Sequence, residues 1–176
     1  MMASFHDCPL GCPSQLELDA FRRAGVDIMA LTTPIAMKVA VGSVAHDGRF
    51  EHDATGERWL AFEERRADDI VFWSWNEGQL CTWSGRAFAL GEEIIADAAT
   101  YSFDCALNVF ADPLTWLQAK RDGIVVLPGQ WPLAFDRLRD APRVALAEKL
   151  LPIYRRHMRP HHLPELSIIP ERRRAA

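Results

Sequence analysis

The sequence has few cysteines and no long apolar segment, and both absences narrow the class of protein. Four cysteines in 176 residues exclude a scaffold held together mainly by disulfide bonds. Without a run of about 20 apolar residues, no membrane-spanning helix is predicted. The opening residues, MMASFHDCPLGCPSQ, have neither the basic start nor the apolar centre of a signal peptide. We therefore expect a cytoplasmic protein with reduced thiols and no membrane partner.

Common catalytic and nucleotide-binding motifs are also missing. There is no Walker loop, no GxGxxG segment, and no serine or cysteine in a recognisable nucleophile context. His46 and His52 have acidic neighbours, as acid–base catalysis requires, but neither a nucleophile nor a metal motif accompanies them. We interpret these histidines as part of a hairpin turn and favour a protein that is not an enzyme.

What is present is typical of a folded protein, with 49% hydrophobic and 25% charged residues. A chain of this length buries enough surface to fold without disulfides or a metal ion. We expect a single α+β domain over residues 1–176, with an irregular arm at 1–13 and a loose basic tail at 160–176.

Capping and turn signals predict a helix followed by a sheet in the first half. Ser14 and Glu17 have the spacing of a capping box, which predicts a helix over about 14–24. Between residues 36 and 90, apolar segments alternate with hairpin-sized turns such as Asp47-Gly48. These features predict an antiparallel β-meander of about four or five strands, packed against this N-terminal helix and C-terminal helices.

The second half is predicted to contain three helices and one further short strand. Asp112 and Pro113 have the residue types that begin a helix. IVVLP, residues 124–128, is apolar on both faces and predicts an internal strand, and WPLAFDRLRD predicts a second helix. Apolar residues at steps of three and four predict a third helix from Pro142, interrupted by Pro152. They are Val144, Ala147, Leu151, Tyr154 and Met158.

The stretch WSWNEGQLCTW contains three of the six tryptophans, Trp73, Trp75 and Trp83. Alternation places Trp73 and Trp75 on one face of a strand and Trp83, in the partner strand, on the other. A tight turn at Glu77-Gly78 would pair Trp73 with Thr82, although a slip of register would change that.

This aromatic hairpin has two readings. Stacking on single-stranded nucleic acid is one, but the flanking acidic residues would repel phosphate. We favour the other, packing in the core against the helices that begin at Asp112 and Pro142. An exposed tryptophan face would instead indicate a structural subunit of a homo-oligomer.

The N-terminal segment HDCPLGC contains metal-ligand residue types. His6, Cys8 and Cys12 could bind zinc with a fourth ligand from His157, His161 or His162. Such a site would define a small metal-binding protein or a metal-dependent enzyme. One half-site without a paired half is a weak zinc signal, so an irregular arm with two ordinary thiols is favoured and no cofactor is expected.

Charge is distributed unevenly along the chain. From Arg143 onward there are eight basic and three acidic residues, whereas residues 1–142 contain twelve basic and twenty-one acidic ones. The basic end can bind nucleic acid, an acidic protein partner or the acidic body of the protein itself. Its candidate contact residues are Arg155, Arg156, Arg159, His161 and His162.

The segments GRAFALGEE and ADPLTWLQAKRDGIVVLP resemble small proteins encoded on bacterial plasmids and integrated elements. This resemblance covers about the second half of the chain and implies a mobile-element context, with no catalytic residue. The sequence as a whole predicts a non-enzymatic accessory protein that binds a partner through its basic C-terminal surface.

Overall fold

The computed structural model describes residues 8–158 of the chain. Two short helices come first, α1 (Gln15–Arg23) and α2 (Ile28–Thr32). The predicted capping box is confirmed, because Glu17 N–H donates to the Ser14 hydroxyl and Ser14 N–H donates to the Glu17 carboxylate. The predicted helix therefore exists, with ends within one residue of the expected ones.

A five-stranded antiparallel sheet follows, as predicted. Its strands are β1 (Lys38–Val44), β2 (Phe50–His52), β3 (Glu57–Glu64), β4 (Asp69–Trp73) and β5 (Leu80–Thr82). Their spatial order is β2-β1-β3-β4-β5, so β3 pairs with β1 and leaves the β1–β2 hairpin at one edge. A single bridge between Arg49 and Thr82 joins the two edges and curls the sheet.

The two faces of the curled sheet bury different side chains. Phe50 and Phe72 stack with ring centroids 3.8 Å apart, although β2 and β4 are not neighbours in the sheet. This contact crosses the inside of the curl, where Trp59, Ile70 and Cys81 also lie. The inner side chains therefore form a core of their own.

Side chains on the outer face pack against the rest of the molecule. Leu60, Phe62, Val71 and Trp73 of this face belong to one buried cluster with residues of α1, α2 and α3 (Pro113–Gln118). The expected packing of the tryptophan face on the helix that begins after Asp112 is confirmed.

A second sheet contains four short strands, where the sequence predicted only one beyond the meander. They are β6 (Ala89–Leu90), β7 (Leu107–Phe110), β8 (Ile124–Val126) and β9 (Val144–Leu146), in the order β6-β8-β7-β9. β8 is internal, as predicted, and is parallel to β7 and antiparallel to β6. α3 connects the parallel strands β7 and β8. Strands of two to four residues carry too little periodicity to be separated from helix or loop.

The predicted helix from Pro142 is wrong in its first half. Val144–Leu146 instead pairs in parallel with β7 as strand β9, because this ladder satisfies its backbone groups beside a buried strand. A short 3₁₀ turn follows at Glu148–Leu150. Helix α5 (Leu151–His157) begins only there, with Pro152 in its first turn, where a missing N–H costs nothing.

The C-terminal helices pack on the second sheet. The predicted second helix is a 3₁₀ turn, Trp131–Leu133, continued by α4 (Ala134–Leu138). Trp131 and Leu138 share a buried cluster with Val109 and Ile124, and Tyr154 of α5 packs against it. The segment after Pro142 therefore does not cover the tryptophan face, contrary to expectation. Among residues 8–158, no helix has the length and apolar character needed to cross a bilayer.

Buried carboxylates organise the segment that connects the two sheets, residues 84–92. Asp69 accepts hydrogen bonds from the backbone N–H groups of Ser84, Arg86 and Ala87 at 2.8–2.9 Å. Further along, the Glu92 carboxylate accepts hydrogen bonds from the backbone N–H groups of Phe88 and Ala89. The Glu64 carboxylate accepts them from the backbone N–H groups of Gly91 and Glu92. Because buried amides need acceptors, these three acids hold the connection in place.

Candidate ligand-binding cavity

The aromatic hairpin has the predicted alternation of faces. The Trp73 and Trp75 rings lie 5.2 Å apart, whereas Trp83 lies on the opposite face, 6.4 Å from Phe72. Trp73 is 4% exposed and Trp75 37% exposed. Trp75 contacts Phe21 of α1 edge-on at 4.4 Å.

The register of this hairpin differs from the tight-turn expectation by two residues. Trp73 pairs with Leu80 and Val71 pairs with Thr82. The connection is longer than a two-residue turn, since Ser74 and Gln79 still share a backbone hydrogen bond at its base. A shift of two preserves the face of every side chain, so the predicted alternation survives the error in register.

The two cysteines of the proposed zinc segment lie in different surroundings. Cys8 is buried inside the curled sheet, and this burial raises its thiol pKa to about 11. Cys12 is exposed. Metal binding requires the thiolate, which burial of Cys8 disfavours. His6, His161 and His162 lie outside the described residues, and no group of three ligand side chains occurs within 8–158, so zinc binding stays a prediction.

The basic C-terminal end is described only in part. Arg155 and Arg156 are exposed on the last turn of α5, and neither forms an ion pair with another described residue. Arg159, His161 and His162 lie outside the described residues. The middle histidines, His46 and His52, lie at the surface.

A cavity of about 110 Å³ lies where the curled sheet meets α3 and the connecting segment. No motif pointed to it in the sequence. Its apolar wall consists of Pro34, Ile35, Phe62, Ile94 and Trp116. Its polar wall consists of Glu63, Glu64, Glu93, Lys120 and Arg121. The cavity therefore combines an aromatic surface with charges of both signs.

Arg121 extends into this cavity from the turn after α3. Lys120 and Arg121 both have positive φ, 57° and 62°, a conformation that is uncommon for residues with side chains. The Arg121 N–H donates to the Trp116 carbonyl, and the Trp116 indole N–H donates to Gly123 at 2.7 Å. These bonds hold the turn that directs the Arg121 side chain.

The guanidinium group of Arg121 is only partly satisfied. Its Nη1 donates to the Ile35 carbonyl at 2.9 Å. Its Cζ lies 5.3 Å from the centroid of the Phe62 ring and 5.4 Å from the centroid of the Trp116 ring. Nε and Nη2 are buried and have no hydrogen-bond partner among the described residues. Burial lowers the pKa of Arg121 to about 10, so the group is still charged at neutral pH.

Glu64 lies in the same cavity and is 4% exposed. It accepts from Gly91 N–H at 2.7 Å and from Glu92 N–H at 3.2 Å. Burial outweighs these bonds and raises the pKa of Glu64 to about 8. When it is ionised, Glu64 favours the charged form of Arg121, but the two side chains form no ion pair.

Gly91 closes one side of the cavity and has a strict conformational role. Its φ is 76°, and a Cβ there would lie 2.7 Å from the Gly123 carbonyl oxygen. A side chain would separate the connecting segment from the turn after α3. The close approach of these two backbones shapes the wall beside Trp116.

No protein-family model, no curated protein and no solved structure matches this chain. The function is therefore inferred from the geometry of the chain itself.

Proposed function

We propose that this protein works by binding and that the cavity beside Arg121 is its ligand site. The observation that carries the proposal is the cavity wall, where the charged guanidinium of Arg121 lies beside the Phe62 and Trp116 rings. A positive charge at this place favours a ligand with negatively charged or hydrogen-bond acceptor atoms.

The residues that line the cavity support the binding of a small ligand. The aromatic residues and the few polar groups of the cavity wall are the composition that small-molecule sites use for affinity and orientation.

Nuclear magnetic resonance of the arginine side chains tests this proposal directly. The Arg121 Nε–H signal, assigned by its loss in Arg121→Lys, is followed while formate, acetate, acetamide and phosphate are added in turn. We expect at least one of these probes to shift the signal in a saturable way. The proposal is wrong if every probe leaves it unchanged while the protein stays folded.

A second binding surface is supported by the exposed arginines of α5. We propose that Arg155 and Arg156, with Arg159, His161 and His162, bind a polyanion. Arg155 and Arg156 are exposed and have no acidic partner within 8–158. Such binding weakens steeply with salt. Titration of single-stranded DNA, RNA and an acidic polypeptide at low and high salt separates these partners, and no binding to any of them at low salt would refute the surface.

A cytoplasmic location belongs to the same proposal. All four cysteines, Cys8, Cys12, Cys81 and Cys105, are free thiols, which suits a reducing compartment.

A further inference from the structure

A groove of about 470 Å³ lies between the turn that joins β3 to β4, the segment that connects the two sheets, and helix α4. We propose that this groove binds the phosphate group of a small phosphate monoester. It shares no described lining residue with the cavity beside Arg121, so it is a second ligand site and goes beyond the proposed function.

Three arginines from distant parts of the chain line this groove. Arg66 belongs to the turn between β3 and β4, Arg86 follows β5, and Arg137 lies on α4. Like charges repel one another, so a groove that brings three arginines together favours an anionic ligand, which the guanidinium groups bind through charge-assisted hydrogen bonds.

Two of these arginines have no partner within the described part of the chain. Arg66 and Arg137 are exposed, and neither side chain forms a hydrogen bond or an ion pair with another residue of 8–158. They differ in this from Arg121, whose Nε and Nη2 are buried. The charged groups of Arg66 and Arg137 are therefore accessible to a ligand that enters from solvent.

The third arginine fixes one wall of the groove. Arg86 donates from Nε to the Ser84 hydroxyl and pairs with the Asp68 carboxylate, both at 2.9 Å. Its backbone N–H donates to the buried Asp69 carboxylate at 2.8 Å. This wall is in place before a ligand binds, which lowers the entropic cost of binding.

Glu92 is the one acidic residue among the described residues that line the groove. It is buried, and its carboxylate already accepts hydrogen bonds from the backbone N–H groups of Phe88 and Ala89. These bonds partly compensate its negative charge. Glu92 therefore opposes the binding of an anion less than a free carboxylate would.

The arrangement of donors favours a phosphate over a carboxylate. A carboxylate offers two oxygen atoms in one plane and a single charge, which one arginine satisfies. A phosphate monoester carries a charge of about −1.5 to −2 and three acceptor oxygen atoms. It can bind Arg66 and Arg137 together, and the side-chain amide of Gln130, on the same wall, is a further donor.

The remaining wall limits the organic part of the ligand. It consists of Ala67, Gly85 and Leu133, and no aromatic residue occurs among the described lining residues. A nucleobase would find no ring on which to stack. A volume of about 470 Å³ lies within the range of roughly 300–1,000 Å³ that small-molecule sites occupy. An aliphatic or sugar-like body fits this wall.

Isothermal titration calorimetry with glycerol phosphate, inorganic phosphate, glycerol and acetate tests the site, in a phosphate-free buffer with about 0.15 M salt. We expect glycerol phosphate to bind and glycerol not to bind. Arg66→Gln and Arg137→Gln should each weaken the binding of glycerol phosphate by at least about tenfold, because each removes charge-assisted hydrogen bonds. Both positions are exposed, so both variants should fold, which circular dichroism checks.

Arg65→Gln and Arg139→Gln are the matched controls. They remove the same charge one and two residues away, and neither residue lines the groove. Because salt screens exposed charges, we expect each control to change the affinity by less than about threefold. Arg155→Gln tests the basic surface of α5. A loss of binding in this variant but not in Arg66→Gln would place the phosphate on α5 and refute the groove.

The other outcomes are equally decisive. Losses in the controls as large as those in the groove variants would show a non-specific attraction and refute the site. No binding of either phosphate compound at about 1 mM would also refute it. Acetate that binds as tightly as glycerol phosphate would contradict recognition of a phosphate. If a groove variant does not fold, the nuclear magnetic resonance signals of Arg66 and Arg137 Nε–H in the unaltered protein decide, since both must shift when glycerol phosphate is added.

The two phosphate compounds distinguish the two sources of the bound group. Tighter binding of glycerol phosphate than of inorganic phosphate supports a monoester, because the wall of Ala67, Gly85 and Leu133 then contacts the organic part. Inorganic phosphate that binds at least as tightly would contradict the monoester and identify free phosphate as the ligand.

Discussion

The two sheets of this protein are assembled in different ways. In the curled sheet, β3, β4 and β5 follow one another along the chain and pair as antiparallel neighbours. In the second sheet, β7 pairs with β8 across the crossover through α3 and with β9 across an even longer segment. Local pairings give one sheet and distant pairings give the other.

The two sheets also differ in how their side chains are buried. The curled sheet surrounds stacked aromatic rings and buries side chains on both of its faces. The second sheet consists of strands of two to four residues, covered by α3 on one side and by the C-terminal helices on the other. We therefore expect the inside of the curled sheet to contribute most to stability and the second sheet to depend on its connections.

The largest loss of stability is predicted for the substitution of Phe72, at the centre of the curled sheet. Phe72 is fully buried and stacks on Phe50. Phe72→Ala should lower the free energy of unfolding by about 3–5 kcal/mol, because it removes a buried ring and leaves a cavity. Urea denaturation measures this change.

Phe103 provides the matched control for the same substitution. Phe103 is fully exposed, so Phe103→Ala should change stability by less than about 0.5 kcal/mol. Similar losses in the two variants would show that the inner core does not dominate stability.

An intermediate loss of stability is predicted for the substitution of Asp69, which binds the segment that connects the two sheets. Asp69 is fully buried at the start of β4 and accepts three hydrogen bonds from the connecting segment. Asp69→Ala leaves these backbone N–H groups without an acceptor, so we expect a loss of about 2–4 kcal/mol. Hydrogen exchange should then be faster at β6 and β8 than at β1 and β3.

The neighbouring residue is a control for this effect. Asp68 is exposed and forms a surface ion pair with Arg86 at 2.9 Å. Its φ is 50°, which asparagine tolerates better than alanine, so the control is Asp68→Asn, which should cost no more than about 1 kcal/mol. Equal acceleration of exchange in both sheets of the Asp69 variant would indicate that they unfold as one unit.

What could be predicted from the sequence follows the same division between local and distant pairing. The capping box of α1, the antiparallel strands of the curled sheet and the start of α3 rest on residues close together in the chain, and these predictions are confirmed. The pairing of β3 with β1 instead of β2, and the register of the tryptophan hairpin, were not predicted. Val144–Leu146 has a helical pattern and becomes a strand because β7, far away in sequence, offers it a ladder. Short apolar runs cannot reveal such a partner.

The cavity was missed for a similar reason. Arg121 occurs in the segment QAKRDG, which resembles any polar helix end. Its importance comes from burial against Phe62 and Ile35, and no local pattern of residues encodes that. A buried arginine or glutamate is recognised only after distant segments have packed together.

The smallest effect concerns the pH dependence of stability at Glu64. Burial raises the pKa of Glu64 from its usual 4.5 to about 8 in the folded protein. The folded state thus binds a proton more tightly than the unfolded state. The resulting stability is fully present below about pH 4.5 and is lost as the pH rises to about 8.

Glu64→Gln removes this titration and keeps an acceptor for the Gly91 N–H. From pH 6 to 7, we expect the stability of the unaltered protein to fall by about 1 kcal/mol relative to Glu64→Gln. Urea denaturation at both pH values measures the difference, and histidine titration cancels in the comparison. Glu63→Gln, at the partly exposed neighbouring position, is the control. Its free energy of unfolding should change with pH in the same way as that of the unaltered protein. If the stability of Glu64→Gln changes with pH in the same way as that of the unaltered protein, the Glu64 carboxyl group is already ionised in the folded state.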